Sequence, residues 1–202
     1  MMSHSRILLL FIFFGIFLGF SNGENIYRMR QVSNLETNPK DSAEFVLLVK
    51  RLLKWHESSH NMDFEVIKIN PNDTVYGGIN WPAHRERMLE LSRTNLFAKE
   101  FIDNYNRIAL FIDKELRENK TKYQIGDMQP YSDDLNDWCK CQDYPEGYLK
   151  FIKIIKVKEF GGSAEFSWTW GSDFNYQMKV QKVNGSWKIS YLERFDIKNY
   201  KW

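Results

Sequence analysis

Hydrophobic positions recur along this chain with two different periods, and the change of period divides it. After a polar stretch from Glu24 to Lys40, Asp41 opens "DSAEFVLLVKRLLKW". Phe45, Leu48, Val49, Leu52 and Trp55 recur at helical spacing and share one face. Asp41 with Glu44 makes an acidic relative of the capping box, and this helix is predicted to end near His56. A linker containing "INPNDTVYGGINWP" follows, and Pro82 suits the first turn of a short second helix reaching about Leu91. Ser92 or Thr94 is expected to cap a third helix. In it Phe97, Phe101, Tyr105, Ile108, Ile112 and Leu116 form one continuous apolar stripe. Thr121 to Gly147 carries no period and reads as a long loop.

From Tyr148 the period becomes two. "LKFIKIIKVKEF", "SAEFSWTW", "FNYQMKVQKV" and "SWKISYLERF" read as four strands. Gly161-Gly162 and Asn184-Gly185 are two-residue hairpin turns, which define register. The first sets Val157 opposite Phe166 and Ile155 opposite Trp168. The second sets Val180 opposite Ile189 and Met178 opposite Tyr191. The connection around Ser172 and Asp173 must keep Phe166 and Val180 on one face, since a slip by one residue turns the apolar set outward. Pairing these two directly gives the apolar rows Val157-Phe166-Val180-Ile189 and Ile155-Trp168-Met178-Tyr191. Lys156, Ser167, Lys179 and Ser190 fall on the other face. The expectation is an α+β domain over residues 41–196, its N-terminal helices packed on one face of a curved four-stranded antiparallel sheet, with 197–202 a tail.

The N-terminus changes the picture of where this domain lives. Arg6, the apolar run Ile7 to Phe20 and the small residues at Ser21 and Gly23 have the pattern of a secretory signal peptide over 1–23. The apolar run is shorter than the ~20 residues that span a bilayer, and no cysteine follows it as a lipid attachment point. Its removal leaves about 179 residues and a net charge near +1. A secreted or periplasmic protein is expected, without a membrane anchor after cleavage. So balanced a charge gives no electrostatic footprint for nucleic acid.

The meander after three helices resembles the NTF2-like (cystatin-like) α+β cone, and "VNGSWKISYLERF" looks like the closing hairpin common in that superfamily. The acidic stretch "SDDLNDWCKCQDYPEGY" is similar to one in the DUF3828 group of exported bacterial proteins of unknown function. The resemblance implies a pocket between curved sheet and helices, in a superfamily that includes isomerases, dehydratases, hydrolases and non-catalytic binders. Fold alone therefore does not choose a function.

Candidate chemistry lies one row beyond the apolar rows. The same register places Lys153, Trp170, Tyr176 and Glu193 side by side, above Trp168. These five are the ligand-binding candidates. Glu193, set among aromatic walls with Tyr176 as a hydrogen-bond donor, is the catalytic candidate as a general base. Against it, charged residues at strand ends ordinarily reach water. His56 and His60 are four apart but lack metalloenzyme context, and they read, with His84, as surface residues. Cys139 and Cys141 supply only two of a zinc site's four ligands and do not form the CxxC of a redox centre. They can bridge in a tight turn, or remain as free or intermolecular thiols. The local bridge is expected in an oxidising compartment. No metal and no cofactor is expected. Asn72, Asn119 and Asn184 each begin an N-x-S/T triplet. The expected role is non-catalytic binding of a small apolar or amphipathic ligand or of a protein partner. The rivals are a small cofactor-independent enzyme using Glu193 as base and a periplasmic immunity or inhibitor factor working through its exposed rim and the Asp133–Asp143 loop.

Overall fold

Helical spacing of apolar residues becomes three helices in a computed structural model, which describes residues 39–118, 122–171 and 174–201. The expected signal peptide, nearly all of the polar leader and the Asn119 triplet lie outside the described residues. Helix α1 (Pro39–Ser58) begins two residues before Asp41. Asp41 there accepts a bond from Trp187 Nε1 at 3.1 Å and meets Lys182 at 3.6 Å, so its acid fastens the helix start to the sheet. Phe45, Leu48, Val49, Leu52 and Leu53 are all buried. A two-stranded ribbon, β1 (Val66–Ile67) and β2 (Gly78–Ile79), precedes α2 (Trp81–Arg93). Helix α3 (Lys99–Arg117) buries the predicted stripe from Phe101 to Leu116. Its N-cap is Ala98. Thr94 instead closes α2, its hydroxyl donating to the Leu91 carbonyl and accepting from the Leu96 amide.

The four predicted strands form one antiparallel meander: β3 (Lys153–Phe160), β4 (Ser163–Thr169), β5 (Tyr176–Val183) and β6 (Ser186–Leu192). Beside β6, the Ala98 amide donates to Ile189 O at 2.8 Å and the Ile189 amide to Leu96 O at 2.8 Å, covering that edge. Phe45 of α1 stacks on Phe166 of β4 with ring centroids 4.7 Å apart. Phe166, Trp168, Tyr176, Met178, Val180 and Ile189 are fully buried, so the alternation fixes the inward face.

Register holds near the tight turns and departs from prediction away from them. Lys158 lies opposite Glu165 and Val180 opposite Ile189. A bulge between Ile155 and Lys158, with Lys156 at φ 54°, then puts Ile154 rather than Ile155 opposite Trp168. A second shift in the β5–β6 ladder makes Ser190 the extra residue. It sets Met178 opposite Leu192 and turns Tyr191 to face Lys179. The middle pair slips by two, with Phe166 opposite Met178 and Trp168 opposite Tyr176. Trp170 lies past the end of β4 and stacks on Phe174 at 4.6 Å, and the slip of two keeps the parity of the faces; Ser172 and Asp173 lie outside the described residues.

Residues 197–201 of the expected C-terminal tail are described, and Trp202 lies outside the described residues. Ile197–Tyr200 forms a 3-10 turn, and Tyr200 is buried, with its ring 5.4 Å from Phe64.

Candidate functional site

The segment between α1 and β1 brings Asp63 to the interior, followed by Phe64 in a left-handed conformation at φ 51°. For a bulky residue this costs about 1–2 kcal/mol. It is held because Phe64 is buried and stacks on Tyr105 of α3 at 4.5 Å. Asp63 Oδ1 accepts from Arg87 Nε at 2.9 Å and from Tyr105 Oη at 2.5 Å, while Oδ2 accepts from Trp138 Nε1 at 2.5 Å. Arg87, on α2, is 1% exposed. Its guanidinium lies 4.8 Å from the Trp55 ring centroid and 5.4 Å from that of Trp138, and it also donates to Ser59 Oγ and to Glu90 Oε2. Burial disfavours the Arg87 charge, but the neighbouring Asp63 outweighs it and holds the guanidinium protonated more firmly than usual. Glu90 also accepts from Trp55 Nε1 and Asn61 Nδ2; burial pushes its pKa up, and hydrogen bonds from Asn61, Arg87 and Ser59 pull it further down, below the ordinary carboxylate value.

A second carboxylate enters from the long loop. Asp137 Oδ2 accepts from Tyr200 Oη at 2.8 Å and Oδ1 from Arg194 Nε at 3.0 Å, and its carbonyl accepts from Tyr176 Oη at 2.6 Å. Arg194 also grips Asp133. Burial dominates at Asp137 and raises its pKa despite these donors. The turn that carries Asp137 is closed by the Asn136 amide donating to Cys141 O at 2.8 Å and by a disulfide between Cys139 and Cys141.

Asp63 and Asp137 line one half-open cleft of about 200 Å³, together with His56, Tyr131, Asn136 and Trp138. Their side chains are 21% and 25% exposed, so each turns part of its charge to solvent while buried donors fix its orientation. His56 stacks on Trp138 at 5.7 Å, and its Nδ1 lies 2.7 Å from Tyr144 Oη. Burial lowers the His56 pKa, which keeps the imidazole neutral at pH 7 and leaves it able both to donate and to accept. Chemically, the cleft offers two fixed anionic acceptors, a neutral imidazole and aromatic walls. Among the described residues, no three His, Cys, Asp or Glu side chains converge as a metal site.

The five sequence-derived candidates separate. Trp168 and Tyr176 are fully buried in the sheet face. Lys153 and Trp170 border a different groove of about 460 Å³ with Phe151, Thr169 and Gly171. Glu193 does not stand on the inward face, because the extra residue in β6 gives that place to Leu192. Its carboxylate pairs with Lys140 Nζ at 2.7 Å and accepts from the Gln177 amide at 2.9 Å, so the arrangement required of a catalytic base beside Tyr176 is not formed. His56 and His84, expected at the surface, are drawn in. His84 is 5% exposed, stacks on Tyr105 at 5.6 Å and meets Asn106 Oδ1 through Nε2 at 3.1 Å. His60 is exposed.

Sequence reasoning missed Asp63 and Arg87, and it took Asp137 only as part of the Asp133–Asp143 loop, a candidate interaction surface. One signal was available. His84, Arg87 and Leu91 share a face of the short second helix, and all three are buried. A cation on an apolar face requires a buried acid partner. No family model, curated protein or solved structure matches this chain.

Proposed function

We propose that this chain is an exported, non-catalytic binding protein on an NTF2-like cone, which takes a small amphipathic amine in the Asp63–Asp137 cleft. The observation that carries the reading is a pair of carboxylates, part-exposed and oriented by buried donors, on the wall of one small cleft. Among the residues that line the cleft, Asp63 and Asp137 are acids and none is a lysine or arginine, so its wall complements a cation. Tyr131, Trp138 and the neutral His56 ring suit an apolar or aromatic body attached to that cation. Helices covering one face of a curved meander are what the cone requires, and the Phe45–Phe166 stack supports that arrangement. A disulfide supports export, because such bonds persist in oxidising compartments.

The test is titration calorimetry with three ligands of one shape: tyramine, the neutral alcohol tyrosol, and 4-hydroxyphenylacetate. The amine should bind, the alcohol more weakly, and the acid not measurably. Equal affinity for all three, or none for any, would refute the reading. A second reading, a protein partner, is favoured by the groove beside Trp170, where Phe151 is 54% exposed next to Lys153.

A further inference from the structure

The disulfide sits where it can control the cleft. Between its two ends the chain makes a tight turn, and Lys140 within it adopts φ 54°, a left-handed conformation that a lysine without constraint rarely takes. Three backbone bonds surround that residue: Lys140 N to Asn136 O at 2.6 Å, Cys139 N to Asn136 O at 3.3 Å, and Asn136 N to Cys141 O at 2.8 Å. The Trp138 amide donates to Asn136 Oδ1 at 2.9 Å. The turn therefore fixes the directions of two cleft side chains, Asp137 toward Arg194 and Tyr200, and Trp138 toward Asp63. Beyond the bridge, Lys140 reaches Glu193 at the end of β6. The two sulfurs are not equivalent, since Cys139 is fully buried and Cys141 is half-buried.

We propose that the Cys139–Cys141 bridge is a redox latch, which holds Asp137 and Trp138 in the cleft when closed and releases them when a dithiol reductant opens it. Resting on the binding reading above, this makes the amine site competent in the oxidised chain and weak in the reduced one. The exchange begins at the accessible end. A thiolate of the reductant attacks Cys141 Sγ, the S–S bond breaks, and Cys139 leaves as a thiolate that takes up a proton in its buried position. The second thiol of the reductant then attacks its own sulfur in the mixed disulfide, and Cys141 is released as the second thiol. Two electrons pass to the protein and the reductant ends as its own disulfide. Without the covalent tie, Lys140 can leave the left-handed region. Cys141 O then withdraws from the Asn136 amide, and the directions of Asp137 and Trp138 are no longer fixed.

The experiment compares the full chain as purified without reductant, after dithiothreitol, and as the Cys139→Ala/Cys141→Ala variant. Thiols are counted, amide hydrogen exchange is followed by mass spectrometry, and tyramine affinity is measured in each. Both cysteines should become reactive on reduction. Exchange at the Asn136, Cys139 and Lys140 amides should then quicken at least tenfold, with the β5–β6 ladder unchanged. Tyramine affinity should fall at least tenfold, the double variant should match the reduced chain, and reoxidation should restore both properties. Unchanged exchange in the turn after both thiols appear overturns the latch, as does faster exchange with unchanged affinity. Loss of protection throughout the sheet also overturns it, because the bridge would then staple the whole fold. If the oxidised chain does not bind tyramine, the binding reading fails, and the exchange measurements alone decide whether the turn opens.

Discussion

Two regions of this molecule bury large side chains in opposite ways. The inward sheet face is closed by apolar and aromatic groups: Phe166, Trp168, Met178 and Val180 are fully buried, and Phe45 of α1 stacks on Phe166. The pole formed by Asp63, Arg87, Asp137 and Arg194 is equally dense in rings, with Trp138 within 4.4 Å of Phe195 and 5.0 Å of Trp55. There the rings surround ion pairs. The first region is held by area removed from water, and its large side chains are fully buried. In the second, charges are desolvated, oriented and left partly open, which suits recognition. Aromatic richness alone does not mark a site. Charge held among rings at a cleft is the better indicator.

Mutations at the two regions should separate these mechanisms. Trp168→Ala on the sheet face should give the largest loss of stability, about 3–5 kcal/mol from lost burial and the cavity left behind. Chemical denaturation would read this as a lower midpoint with similar loss at pH 7.5 and 5.5. At the polar pole, Arg87→Met should cost about 3 kcal/mol, toward the lower end for breaking a buried pair because Asp63 retains some solvent. A loss below about 1 kcal/mol there would show that Tyr105 and Trp138 alone suffice to hold the Asp63 charge.

Acid should act on the polar pole and spare the sheet face. Burial lowers the pKa of His56 and of His84. The unfolded chain therefore binds more protons than the folded one just below the ordinary histidine pKa of 6.5. Stability contributed by these neutral rings is present above that value and declines as pH falls toward their folded values. Asp137 opposes this, since its raised pKa means that its charge is costly at neutral pH and that cost is relieved in acid. Urea midpoints should fall between pH 7.5 and 5.5 through the two histidines. A His56→Gln/His84→Gln chain should lose most of that slope. A double variant that keeps the wild-type dependence on pH would contradict the burial of both rings.

The smallest effect is expected at Glu193. Its pair with Lys140 is partly exposed, 27% and 37%, so Glu193→Gln should change stability by about 0–1 kcal/mol. It should leave tyramine binding intact, because Glu193 does not line the cleft. A large loss of binding in this variant would return Glu193 to the site.

Much of the fold was legible because its signals are local. The stripe from Phe101 to Leu116, the period-two run after Tyr148 and the Asn184-Gly185 turn each specify structure within a few residues, and Val180 faces Ile189 accordingly. The register row that nominated Glu193 was not legible. Extrapolating from a turn to a strand end assumes an unbroken ladder, and Lys156 and Ser190 each break it by one residue. The cleft was less legible still. Asp63 and Asp137 lie 74 positions apart in loops without a period, and meet through Arg87, Trp138 and Tyr200, whose partners only tertiary structure supplies.

The most direct measurement is tyramine affinity of the wild-type chain and of Asp137→Asn at pH 7.5, with thermal melts to confirm that both are folded. The variant should fold with little change, because Arg194 keeps its two contacts with Asp133 and the Asn carbonyl can still accept from Tyr200. A charge-assisted hydrogen bond contributes ~1.5–3 kcal/mol, so affinity should fall by about tenfold to a hundredfold. Wild-type affinity should also weaken as pH is lowered through the raised titration range of Asp137. Equal affinity in the two folded chains would contradict the assignment of the cleft as the site.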